Sequence, residues 1–231
     1  MKTRSTSGFS LAELIIVVSI LALLAGVVAP VAMRSLVTEA RNATDDELEI
    51  LGDAVGEYFR DVGALPTDLD DLVVDPGATG WSGPYLLSST PADGGGLSDV
   101  AADAWGRAYQ LTTTGVSVLT ITSSGEDFTF GTDVDLERTV DVTPIRREVT
   151  LRELQTINQA ITSYNASYID TSPLPANYTQ VLAQLVSTGY LPTTAPYETD
   201  GWGDAYDATP SGATPVVRVA SPNVSTGLGG S

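Results

Sequence analysis

Residues 8–33 read GFSLAELIIVVSILALLAGVVAPVAM, and the run carries one acid, Glu13, near its start. From 14 to 33 there are 20 residues without a charge. As a helix rising about 1.5 Å per residue they reach ~30 Å, the thickness of a hydrocarbon core. Residues 9–33 are therefore expected to form a membrane-spanning helix. An ionised carboxylate there costs roughly 2.5–3.5 kcal/mol and calls for a cationic partner. Three readings compete. A cleaved secretory signal would use Lys2 and Arg4 as its basic region, but the apolar run is too long for one. A plain anchor would let Glu13 snorkel to the headgroups. The third reading starts from the Gly8–Phe9 junction, which follows a short basic leader, and makes Glu13 the fifth residue after it. Pro30 lacks an amide hydrogen and crowds the carbonyl of Gly26, so the helix is weak there, either as a kink or as a place that opens on packing.

Outward from this run, composition sets the bounds. There are 29 acids against 11 bases, a formal charge of −18, so nucleic acid and anionic surfaces are poor partners and calcium is a better one. The chain has neither cysteine nor histidine. That removes a disulfide framework, the usual zinc ligands and the commonest general base. Among so many acids, carboxylate pairs arise by accident, and no nucleophile elbow or phosphate loop accompanies them. No catalytic constellation is found, and the chain does not read as an enzyme.

Beyond Met33 the pattern turns polar but stays helical. Leu48, Leu51, Val55, Phe59 and Val62 fall on one stripe, and no proline intervenes between Pro30 and Pro66. One helix is expected from about residue 10 to 62, its second half amphipathic. A short helix in TDLDDLV and an alternating strand in VSVLTITSSG follow. The fold class is α+β: a long N-terminal helix packed on a small antiparallel sheet. The acidic stretch 123–137, SSGEDFTFGTDVDLE, places Asp127, Asp133 and Asp135 close together with Gly125 and Gly131 at the turns. Such a loop is either a calcium cage or simply solvated.

DAWGRAY at 103–109 then recurs as DGWGDAY at 200–206, identical at five of seven positions. Ahead of the second copy, LRELQTINQAITSY sets Leu151, Leu154, Ile157, Ile161 and Tyr164 on a helical stripe, with no apolar run before it. VDVTPIRR at 140–147 reads as the linker, with Pro144 and its charges. The pattern predicts a tandem repeat, the second copy shorter and without an anchor. Trp105 and Trp202 are expected as core anchors of their turns rather than sugar-stacking platforms. The stretch matching the acid loop, ASPNVSTGLGG, holds no acid, which limits the chain to one calcium ion.

GFSLAE resembles the class III signal of type IV pilins and type II secretion pseudopilins. The resemblance implies that a prepilin peptidase cuts between Gly8 and Phe9, removing the leader 1–8, and methylates the new amine. It further implies that this amine, from a neighbouring subunit, pairs with Glu13, and that Pro30 lets the helix melt locally. The long helix, a Leu-Pro, W-x-G-P-Y-L, D-x-W-G-x-x-Y, a strand and an acid loop, over residues 9–137, resemble the major pseudopilin of type II secretion systems. That family implies calcium in the loop of Asp127, Asp133 and Asp135. It implies self-association into a helical filament, contacts with an inner-membrane assembly platform and other pseudopilins, and a role in protein secretion. The chain would be single-pass in a bacterial inner membrane, with a first head at 34–142 and a second, pilin-like head at 143–231 in the periplasm. The alternative is a minor subunit at the filament tip that binds cargo or a surface.

Overall fold

The computed structural model describes residues 11–88, 98–209, 211–212 and 214–224, and of these the side chains of residues 25, 27, 29 and 30 also lie outside the description. Helix α1, Leu11–Val62, runs for 52 residues. Its hydroxyl residues bond back to the preceding turn, Ser19 to the Ile15 carbonyl and Thr38 to that of Arg34, so they do not interrupt it. The helix stops at Gly63, which adopts φ 76° and donates its N–H to the Phe59 carbonyl at 2.8 Å. This is the left-handed glycine stop, costly for any side chain. Among the described residues no helix is long and apolar enough to cross a membrane.

A single 3₁₀ turn, Leu69–Leu72, follows, capped by Asp68, whose side chain accepts from Asp70 N–H while Asp71 reaches back to the Asp68 amide. The expected helix in TDLDDLV is this one turn. Strands β1 (Gln110–Thr114), β2 (Val118–Ser123) and β3 (Leu136–Asp141) form a three-stranded sheet in that order. Helix α2, Thr143–Tyr168, α3, Tyr178–Ser187, and the antiparallel pair β4 (Asp207–Thr209) and β5 (Arg218–Ala220) complete the chain. The fold is α+β with small antiparallel sheets, as the pattern predicts.

VDVTPIRR is not an open linker. Its second half is the first turn of α2, with Pro144 at the helix start, where a missing N–H costs nothing and a fixed φ is already helical. The predicted α2 stripe shifts as well. Thr150, Leu154, Ile157, Ile161 and Tyr164 are buried, whereas Leu151 is 38% exposed. A hydroxyl takes the inward position because, as described below, a backbone N–H there needs an acceptor.

Two compact units are distinguishable. One comprises residues 1–51, 88–110 and 121–138, and the other 52–87, 111–120 and 139–231. In the first, Leu48, Leu51, Ile121 and Leu136 are buried together with the polar Thr44, Asp103 and Ser123. In the second, one apolar cluster gathers Leu154, Ile157, Ile161 and Tyr164 of α2 with Val181, Leu182 and Leu185 of α3 and Val219 of β5. Asn158 fastens β5 to α2 by both ends of its amide, donating to the Val219 carbonyl at 3.0 Å and accepting its N–H at 2.7 Å.

Candidate functional site

What the two Trp turns bury is not tryptophan. Trp105 and Trp202 are half-buried, while Asp103 and Asp200 are 4% and 5% exposed. The carboxylate closes each turn from within. Asp103 accepts the N–H of Trp105 at 3.0 Å and of Arg107 at 2.9 Å, and its other oxygen accepts the Ser123 hydroxyl at 2.6 Å. Asp200 accepts the N–H of Trp202 at 2.9 Å and of Asp204 at 3.1 Å, and the Ser221 hydroxyl at 2.6 Å. Ionised acceptors make the stronger class of hydrogen bond, and here they satisfy amides that no ladder would reach. A buried carboxylate with that many donors belongs inside, and the amphipathic indole is left at the rim.

The helix behind each turn meets it in the same way. Thr44 Oγ1 accepts the Ala104 N–H at 3.2 Å, and Thr150 Oγ1 accepts the Gly201 N–H at 2.8 Å. Tyr109 donates to Glu47 at 2.9 Å, and Tyr206 to Glu153 at 2.6 Å. Burial raises the Glu47 carboxyl above the ordinary glutamate range; the bond from Tyr109 opposes this and Asp103 adds to it. Burial likewise raises Glu153, against the bond from Tyr206 and with a contribution from Asp200. Both tyrosines are pushed far up by burial and by the facing glutamate, so each pair holds its proton on the phenol. The aromatic contacts repeat too. Tyr58 meets Tyr85 edge-on with centroids 5.6 Å apart, and Tyr164 meets Tyr190 edge-on at 5.6 Å.

The turns part company at one residue. Gly125 donates its N–H to Ser123 Oγ, as Asn223 does to Ser221 Oγ. Gly125 has φ 62°, and a Cβ there would lie 2.5 Å from the Val134 carbonyl oxygen. The acid loop passes too close for any side chain. Asn223 has room, and its amide donates to Asp200 at 3.0 Å and to Asp204 at 2.7 Å. Burial pushes Asp200 up, but the donors Ser221, Asn223, Trp202 N–H and Asp204 N–H outweigh it and hold the carboxyl below its usual range.

Arg146 at the start of α2 is 8% exposed. Its guanidinium donates to the carbonyls of Gly201 and Val116 and lies over the Phe59 ring, 4.7 Å from the centroid. Nε has no hydrogen-bond partner. Burial lowers its pKa, with Asp200 acting the other way.

Of the residues that the sequence singled out, Gly8 and Phe9 lie outside the described residues, and so does the side chain of Pro30, whose backbone is helical in α1. Glu13 sits in the first turn of α1, exposed. In the acid loop, Asp127 accepts the Thr129 N–H at 2.9 Å, and Asp135 accepts the Gly131 N–H at 2.7 Å and the Thr132 hydroxyl at 3.2 Å. Asp133 is exposed on the turn between them. All three are oxygen donors of the kind calcium prefers, but among the described residues no three acids are gathered into a group that could hold a metal ion. Sequence reasoning missed Thr44, Glu47, Thr150, Glu153 and Arg146. A signal was available for the first four, since T-x-x-E-L occurs at 44–48 and again at 150–154.

A prokaryotic N-terminal methylation motif matches residues 3–29, and the model of type II secretion system protein G matches residues 32–143. The type II secretion system core protein G of Aeromonas hydrophila is 32% identical over 140 residues, which cover 94% of that protein and 59% of this chain. The chain belongs to this family. A similar core protein G from Klebsiella michiganensis is 31% identical over 140 residues, with 94% of it and 59% of this chain covered, and one from Xanthomonas campestris pv. campestris is 34% identical over 89 residues, with 62% and 36% covered. No solved structure matches significantly. This pseudopilin therefore carries a family-matched part that includes the Asp103 turn, while its Asp200 turn lies beyond both matched models.

Proposed function

We propose that the chain is a structural subunit of a type II secretion pseudopilus, a filament of the bacterial cell envelope that serves protein secretion. One observation carries this. A methylation motif at 3–29 is followed directly by the protein G match at 32–143, with one helix, α1, running through both. Prepilin peptidase cuts between Gly8 and Phe9 and methylates the new amine. The 20 uncharged residues 14–33 hold the helix in the inner membrane before assembly. In the filament Glu13 pairs with the Phe9 amine of a neighbouring copy, which offsets the cost of a carboxylate among apolar helices. Residues 143–231 are a second pilin-like head without an anchor, a reading supported by the bond-for-bond likeness of the Asp103 and Asp200 turns. Calcium in the loop of Asp127, Asp133 and Asp135 is part of the proposal, supported by its oxygen donor set.

Glu13→Ala tests the assembly step. Loss of filaments in electron micrographs, with the protein still present in the membrane, is expected. Filaments of normal number and length would overturn the pairing. Mass spectrometry of the mature chain should find a methylated Phe9 at the N-terminus.

A further inference from the structure

Charge is divided unequally along this chain. Residues 34–142 hold 21 acids and 5 bases, whereas residues 143–231 hold 7 acids and 4 bases. The helices show the contrast at matched positions. Thr44 and Glu47 serve the first turn as Thr150 and Glu153 serve the second, so the two helices share a register. In that register α1 carries the charges Glu49, Asp53, Glu57, Arg60 and Asp61 between 48 and 62, and α2 carries none between 154 and 168. The exposed positions matching Asp45, Glu49, Asp53 and Glu57 are Leu151, Gln155, Gln159 and Ser163.

We infer that this face of α2, uncharged from Gln155 to Ser163 and bordered by the exposed Arg152–Glu148 pair, is a contact surface for a second copy of the same chain. The inference rests on the pseudopilus reading above. Copies that, without the leader's Lys2 and Arg4, hold 29 acids against 9 Lys and Arg residues repel one another when packed side by side wherever acid faces approach within a Debye length, about 8 Å in physiological salt. Close contact is favoured where amides and hydroxyls meet, because charged groups are costly to strip of water and are depleted from interface cores. The α2 face meets that requirement. It holds a shallow groove of about 510 Å³ between Leu151 and Ser163. A filament joins copies by one face of each meeting a different face of the next. The partner surface is accordingly another part of the neighbour, not its own α2.

The test places a photoreactive benzophenone side chain at Gln159 in the full-length protein within assembled filaments, with a second probe at Leu21 in α1 in a parallel sample. Irradiation at Gln159 should give a ladder of masses at multiples of the chain. Gln155→Glu, Gln159→Asp and Ser163→Glu together restore the charges that α1 carries at these positions. With the probe moved to Thr162, this triple variant should lower the ladder by about tenfold relative to Thr162 alone, without loss of helical signal. A ladder from Leu21 but only monomer from Gln159, or crosslinks from Gln159 solely to a different protein, would overturn the contact and leave the filament reading standing. No ladder from either probe would overturn both.

Discussion

The Asp103 turn and the Asp200 turn bind their backbones with the same bonds, yet the first lies under an acid loop, while the stretch that follows Ser221 at the second holds no acid. Where the Val134 carbonyl of the loop comes so close, position 125 must be glycine. At the matching position of the second turn, Asn223 adds two hydrogen bonds to acids of its own turn. The difference teaches what the shared constellation is for. A buried aspartate, a serine, a helix threonine and a Glu–Tyr pair form a self-sufficient way to fasten a tight turn to a helix, and the acid loop is an addition placed over it.

The largest effect should come from removing the aspartates. Asp200→Ala leaves two backbone amides, Ser221 and Asn223 without their acceptor, a loss of about 3 kcal/mol. Asp103→Ala strands one donor fewer and should cost somewhat less. Thermal unfolding of the full chain in detergent measures both. A negligible change in either would break the equivalence of the turns.

The proposed calcium site should separate them next. Binding to the folded acid loop stabilises by about 2.7 kcal/mol at a free concentration 100 times the dissociation constant. Hydrogen exchange should slow with millimolar calcium in the amides of residues 123–137 and not in those of 199–206. Asp133→Ala is the cleaner variant to remove the effect, because Asp135 also holds Gly131 and Thr132 in place. Identical exchange with and without calcium would remove the ion from this account.

In the register shared by the two helices, Ala40 stands where the second turn has Arg146. Replacing Arg146 by Ala removes two donors to carbonyls and the cover over Phe59, and should lower the unfolding free energy by about 2 kcal/mol. Arg146→Lys should recover only part, since an ammonium cannot span both carbonyls in one plane.

The smallest effect concerns the Glu–Tyr pairs. Glu47 and Glu153 ionise at higher pH in the folded chain than in the unfolded one, whose ordinary value is 4.5. Their contribution is therefore fully present below 4.5 and is lost as pH rises through the folded value. Glu47→Gln and Glu153→Gln keep an acceptor for the tyrosine and should each flatten that decline by less than about 1 kcal/mol. Stability curves from pH 4 to about 8 that keep the wild-type slope would show that neither pair titrates in this range.

The sequence alone determined the periodic and the local. The 52-residue α1, its end near Val62, the α+β order and the recurrence of D-x-W-G-x-A-Y all follow from spacing, from glycine and proline, and from an apolar run with one acid. Family membership was legible for the same reason, because the leader and the first Trp turn are contiguous motifs. The tertiary structure alone decided which residues of those motifs go inside. Aspartate displaced tryptophan from the core of each turn, Thr150 displaced Leu151 from the α2 stripe, and Arg146 turned from a linker charge into a buried clasp. Thr150 and Arg146 are drawn inward by backbone groups of Gly201, more than 50 residues away, and each aspartate by two amides of its own turn together with a serine hydroxyl 20 or 21 residues on. Hydrophobic periodicity ranks side chains by their cost in water, but a backbone amide or carbonyl cut off from solvent needs its own partner, and only the folded chain reveals where those groups lie.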